Sequence, residues 1–83
     1  MAVIDELEKY LLREVATDKG IDAIAENEDL IVQGIVDSLG IMKLTEYIVK
    51  TYGITIHDDD IIPENFQTLA NLDRFIQQKL ANK

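Results

Sequence analysis

The stretch from Gly20 to Asp37 constrains the fold of this chain more than any other. It lies between two segments of helical period but has no sustained period of its own. Ile21, Ile24, Leu30, Ile31, Val32, Ile35 and Val36 make it too apolar to remain in water as a linker. A connection this long in a small domain is packed by its own side chains and is often functional. Glu26, Glu28 and Asp29 are its expected exposed positions, and Gly34 permits a turn that a Cβ would resist.

The stretch leaves through Gly34-Ile35-Val36-Asp37-Ser38-Leu39. Asp and Ser both favour helix N-caps, because their side-chain oxygens accept from the unpaired amides of the first turn. Ser38 therefore has two readings. In one it only starts a helix; in the other its hydroxyl is a modification site displayed at the mouth of a small bundle.

Helical stripes flank this exit. Residues 3 to about 17 carry Ile4, Leu7, Leu11 and Val15 at three- and four-residue steps, widened by Val3, Tyr10 and Leu12. Gly20 is the expected stop. Residues 38 to 52 form a second helix, with Leu39, Met42, Leu44, Ile48 and Tyr52 as its expected buried stripe, shared with Ile41 and Val49. Lys43, Glu46 and Lys50 are its exposed positions, Glu46 and Lys50 at the favourable i, i+4 spacing, and Gly53 ends it.

Ile54-Thr55-Ile56 alternates like a strand but is short and has no partner, so it reads as an extended connection. Asp58-Asp59-Asp60 ahead of Ile61-Ile62-Pro63 predicts one short helical turn. The last helix is expected from Thr68 as N-cap to about Leu80, on a stripe of Leu69, Leu72, Ile76 and Leu80 with Phe75 beside it. Phe66 packs back ahead of the cap, much as a hydrophobic staple does. The whole predicts an all-α fold: a small four-helix bundle of three longer helices and one short one, a single domain over residues 1–83. The long first connection allows the first two long helices to run roughly parallel.

Composition narrows the chemistry. At 83 residues and 47% hydrophobic content, one modest core is possible. No cysteine is present, which removes thiolate metal sites and cysteine nucleophiles and fits a reducing compartment. His57, the only histidine, makes neither a metal site nor a triad alone and is read as an exposed loop residue. A calcium loop starting at Asp58 fails at Ile62 and Pro63, and the surroundings of Ser38 are not the Gly-x-Ser-x-Gly elbow of hydrolases. No catalytic residue and no metal ligand is assigned.

The formal net charge is −8. Asp22, Glu26, Glu28, Asp29, Asp37, Glu46, Asp58, Asp59 and Asp60 face only Lys43 and Lys50 between Ile21 and Asp60, so the negative excess surrounds Ser38. Such a polyanion is repelled by nucleic-acid phosphates and steers basic surfaces towards itself. The N-terminus lacks the basic region of a signal peptide, and no apolar run would span a bilayer. A soluble, cytoplasmic monomer is expected, without nucleic-acid binding or membrane insertion.

Length, acidic balance, helix order and the Asp37-Ser38-Leu39 motif opening the second long helix together resemble the phosphopantetheine-binding carrier proteins, which include acyl, peptidyl and D-alanyl carrier proteins. Gly34 four residues before the serine and the segment Tyr52-Gly53-Ile54-Thr55-Ile56 extend the resemblance over nearly the whole chain. It implies an acyl-carrier-protein-like bundle whose Ser38 hydroxyl receives 4′-phosphopantetheine from coenzyme A, by a phosphopantetheinyl transferase that holds Mg²⁺. The arm's thiol would carry acyl or aminoacyl groups as thioesters, so that a cysteine-free protein acquires thiol chemistry with its cofactor.

The resemblance further implies that Asp37 orients the loop and the transferase's groups, and that Leu39 and Met42 meet partner enzymes. Lys43 and Glu46 would join that partner face, with Ile61 and Ile62 opposite, across the arm's exit. The partners implied are the transferase, acyl- or aminoacyl-activating enzymes, and downstream transferases or synthases. One departure is informative. The fatty-acid-synthesis type has a densely acidic second helix, whereas here Lys43 and Lys50 stand with Glu46 and Gly40, and the acid lies in the preceding loop and in Asp58 to Asp60. This favours a specialised or aminoacyl pathway over bulk fatty acid synthesis. The alternative is an acidic helical interaction module that carries no prosthetic group.

Overall fold

Among the described residues the chain forms α1 (Val3–Tyr10), a π-helical turn (Leu11–Val15), α2 (Ser38–Tyr52), a 3-10 turn (Asp58–Asp60), α3 (Pro63–Phe66) and α4 (Leu69–Ala81), with no strand. The computed structural model describes residues 3–17 and 19–82; positions 1, 2, 18 and 83 of the expected domain lie outside that description. The fold is the expected all-helical bundle of three longer helices and a short one.

The first helix completely buries Leu7 in α1 and Leu11 in the π-helical turn, and carries Asp5 and Glu6 in its first turn, where the helix dipole favours anions. Its last turn widens: Ala16 N–H donates to Leu11 O, five residues back, at 2.7 Å. The helix ends there, short of the expected residue 17. Gly20 has the left-handed φ of 70°, but it lies out in the connection and does not cap the helix. The π turn stops it earlier by rolling Ala16 into the core.

The connection is as well packed as its composition demands. Ile24, Leu30, Ile35 and Val36 are buried in the same core as the helices. Its backbone is fastened on both sides: Ile24 N–H donates to Glu8 Oε2 at 2.9 Å, Leu30 N–H to Gln67 O at 2.7 Å, and Ala70 N–H to Glu26 O at 3.0 Å. Glu28 and Asp29, expected to be exposed, are half-buried and structural. Asp29 Oδ1 accepts from Ile31 and Val32 N–H, and Oδ2 accepts from Gln67 Nε2 at 2.7 Å. The Gln67 amide, followed by those backbone donors, holds the Asp29 carboxyl below the usual carboxylate range.

The two long helices run antiparallel, not parallel. Tyr10 stacks on Tyr47 with ring centroids 4.1 Å apart and donates its hydroxyl to Lys43 O at 3.0 Å, while Val15, further along, meets Gly40, earlier in α2. The connection therefore leaves the end of α1, reaches Glu8 and the start of α4, and returns to the end it left. Its length allows that round trip as readily as a one-way crossing between parallel helices.

Ile54 is buried in an extended segment beyond Gly53, as expected. The single short turn expected after it is two. Proline disfavours helical backbone in the residue before it, and Ile62 is extended (φ −125°, ψ 154°), so the run from Asp58 breaks and Pro63 opens α3 afresh. Thr68 caps α4 by accepting from Asn71 N–H at 3.0 Å. Leu69, Leu72, Phe75 and Ile76 then face the core, where Phe66 lies against Phe75 at a ring distance of 6.1 Å. No helix among the described residues is long and apolar enough to cross a membrane.

Candidate functional site

The exit motif meets α2 at an N-cap made by Asp37. Its Oδ1 accepts from Gly40 N–H at 2.8 Å, with Asp37 itself in extended backbone (φ −107°, ψ −168°). Ser38 is thus the first helical residue and takes no part in the cap. Its side chain is exposed, and its hydroxyl makes no hydrogen bond among the described residues. The bland reading of the serine as a helix starter is accounted for by its neighbour.

Beside Ser38 an open groove of about 490 Å³ runs along α2, lined by Ser38, Ile41, Met42, Thr45, Glu46 and Ile61. Three of the six are aliphatic or thioether side chains. Thr45 Oγ1 donates to Ile41 O at 2.7 Å, which occupies its proton and leaves its lone pairs available as acceptors. Glu46 is the carboxylate among these described lining residues.

The predicted positions divide around the start of α2. Ser38, Met42, Glu46 and Ile61 come together in the groove. Asp37, Leu39 and Lys43 lie on the other side, around a smaller depression shared with Val15, Lys19, Ile35 and Gly40. Lys43 Nζ reaches Glu14 O at 3.4 Å. Ile62 is 38% exposed but lines neither space. Glu46 and Lys50, although correctly spaced, form no ion pair among the described residues.

Leu39 and Met42 were expected in the buried stripe of α2, and the structure turns them outward, at 59% and 69% exposure. Val49 is exposed as well. The buried face is instead Gly40, Leu44 and Ile48. Val32, in the connection, is the most exposed large apolar residue described, at 81%. Two groove residues, Ile41 and Thr45, were not assigned to the site from sequence. Their spacing of three and seven from Ser38 puts them on its helix face, and that periodicity was the available signal.

On the far side of the 3-10 turn a polar cavity of about 500 Å³ holds His57, Asp60, Asn65 and Lys79 among its walls. His57 is exposed, as expected. Asp60 and Ile61 are adjacent in sequence but line different spaces, so this turn separates the polar cavity from the apolar groove.

A free, exposed hydroxyl at the first turn of a long helix, opening on a largely apolar groove, fits a phosphate-linked flexible arm. Partial positive charge at the helix N-terminus favours the phosphate, and the groove suits an uncharged chain. No curated protein matches the sequence. The family model for the phosphopantetheine attachment site matches residues 9–76, a span that takes in α2, both short turns and most of α4. The chain belongs to the phosphopantetheine-binding carrier family, whose members bear covalent 4′-phosphopantetheine and work with phosphopantetheinyl transferases and with synthase or transferase partners.

Proposed function

We propose that Ser38 is the attachment residue and that this chain, as one domain, carries acyl or aminoacyl cargo between enzymes of a specialised or aminoacyl pathway. The observation that carries the assignment is the division of labour at the helix start: Asp37 does the capping, and Ser38 keeps an exposed hydroxyl, with no hydrogen bond among the described residues, at the head of the groove. During loading the Ser38 oxygen bonds to phosphorus, its proton leaves, and the adenosine bisphosphate part of coenzyme A departs. Nothing among the described residues stands as a base hydrogen-bonded to Ser38, so the transferase supplies it and this chain acts as its substrate.

When bound, the group supplies a terminal thiol on a long arm, on which cargo is held as a thioester. The residues of the chain bind and orient. Ser38 and Leu39 N–H, at the positive end of α2, would be the amides available to the phosphate charge, since the Gly40 N–H is committed to Asp37. Ile41, Met42 and Ile61 offer apolar contact along the groove, and Thr45 and Glu46 offer acceptors for amide N–H groups.

The exposed Leu39 and Met42 form an apolar docking face for partner enzymes, with Lys43 and Glu46 at its edge and Ile62 beyond the groove. Its mixed charge supports a pathway other than bulk fatty acid synthesis. A reducing cytoplasm suits a cysteine-free chain whose chemistry uses a free thiol.

Intact mass after incubation with coenzyme A, Mg²⁺ and a broad-specificity phosphopantetheinyl transferase tests the attachment. One phosphopantetheine on the parent and none on Ser38→Ala is the expected result. No addition to a folded parent would favour an interaction module without a prosthetic group. For the pathway, loading by amino-acid-activating enzymes should outpace malonyl loading and elongation by fatty-acid enzymes; the reverse order overturns that assignment.

A further inference from the structure

Gly40 lies two residues after Ser38, on the buried side of the same helical turn. A Cβ added to it would stand 3.0 Å from Val15 Cγ1, 3.3 Å from Val36 Cγ1 and 3.4 Å from Asp37 Oδ1. The first of these is at the limit of real Cβ contacts, and the last involves the oxygen that caps the helix. Three parts of the chain converge on this one position: the π turn ending α1, the last buried residue of the connection, and the cap of α2. The glycine is not there for its backbone freedom, because it sits in ordinary helix, where alanine would be the better helix former. Its use is the space it leaves.

We infer that Gly40 is a positioning residue for the modification of Ser38: its missing side chain lets the first turn of α2 settle against Val15 and Val36 and so sets where the serine hydroxyl is held. This rests on Ser38 being the attachment residue. A methyl at position 40 requires Val15 Cγ1 and Val36 Cγ1 to give by a few tenths of an ångström; to the extent that they hold their places, the start of α2 shifts away from them, and Ser38 lies between the cap and the contact. Phosphoryl transfer depends on alignment of the attacking oxygen, and small misplacements of a reacting group lower the rate of the chemical step more than they weaken docking. The outward residues Leu39 and Met42 keep their own side chains, so the surface offered to the transferase is preserved.

The test is steady-state loading of the parent, Gly40→Ala, Val15→Ala and the double variant by one phosphopantetheinyl transferase, read by mass, with helical circular dichroism as the check on folding. Gly40→Ala should lower kcat about ten-fold, with KM changing less than about two-fold. In the double variant, Val15→Ala should restore most of the lost kcat by removing the 3.0 Å neighbour, with Val15→Ala alone as its reference. Partial unfolding alone would lower the loadable fraction and so raise the apparent KM, whereas a misplaced hydroxyl lowers kcat. If Gly40→Ala does not fold, the double variant decides: folded and loading at the parent's kcat supports the role, folded and slow overturns it. Gly40→Ala loading at the parent's kcat also overturns it. A parent that takes up no group, or a Ser38→Ala variant that does, overturns the assignment of Ser38 instead.

Discussion

Lys79 Nζ lies 2.8 Å from the Asp60 carboxylate, tying the end of α4 to the turn whose next residue, Ile61, walls the groove beside Ser38. The turn is gathered around Asp60: His57 N–H donates to Oδ2 at 2.9 Å, and Asn65 Nδ2 donates to the Asp60 carbonyl at 2.8 Å. Lys79 also stands 5.7 Å from the centre of the Phe75 ring, which helps keep its long side chain in place. The groove wall is therefore held from outside the groove.

This pair should show in acid. Hydrogen bonding from Lys79, then from the His57 backbone, holds the Asp60 carboxyl below the usual carboxylate range. A depressed folded pKa means that the stabilisation is complete above that range and is lost as pH falls through the folded value. Lys79→Gln should cost about 0.5–1 kcal/mol at neutral pH, the magnitude of a partly exposed, hydrogen-bonded pair. Urea unfolding across a pH series should show the gap between variant and parent closing in acid; a gap that persists once Asp60 is protonated would assign the loss to packing on Phe75.

The cap at Asp37 makes a second prediction. Asp37→Ala leaves the Gly40 N–H without its acceptor and should cost about 1 kcal/mol, whereas Asp37→Ser should recover most of it. Denaturant midpoints of the three proteins decide this. Equal stability of Asp37→Ala and the parent would return the capping role to Ser38.

Leu44 and Met42 lie two residues apart on α2 and should behave as opposites. Leu44 is completely buried, and its replacement by alanine should cost about 2–5 kcal/mol, a large share of the stability of a domain this size. Met42→Ala should change stability by less than about 0.5 kcal/mol while slowing reactions with partner enzymes. Unfolding midpoints and loading rates measured on the same samples separate the two effects.

Tyr52 carries a buried hydroxyl with no hydrogen-bond partner among the described residues. Burial first, then the nearby Tyr47, Glu6 and Asp73, push its pKa up to about 12. Ionisation of this group opposes folding, so stability is unaffected below the ordinary tyrosine value and falls as pH rises from there towards 12. Tyr52→Phe removes an unsatisfied donor and should be neutral or stabilising by up to about 1 kcal/mol. Thermal unfolding checks the sign, and ultraviolet titration of the parent should show a phase near pH 12 that the variant lacks, beside the raised Tyr10 that both keep.

Much of the site was legible because it is local. Asp37-Ser38-Leu39, the Thr68 cap and the stop at Gly53 depend on a few consecutive residues and their backbone amides. What was not legible depends on neighbours distant in sequence. Asp29 looks like a solvated acid until Gln67 is placed beside it, and Gly40 looks like a weak point in a helix until Val15 stands over it.

The sequence by itself determined that this chain is helical, where α2 and α4 begin, and that a serine opens α2. Period, capping and turn chemistry act over a few residues and need no distant partner. Only the tertiary structure decided which arc of α2 is buried, that α1 runs against it, and that Ile61 closes the groove beside Ser38. α2 has apolar residues around most of its circumference and can bury only one arc. Tyr10, Val15 and Val36 select the arc of Gly40, Leu44 and Ile48, and Leu39 and Met42 are left facing water.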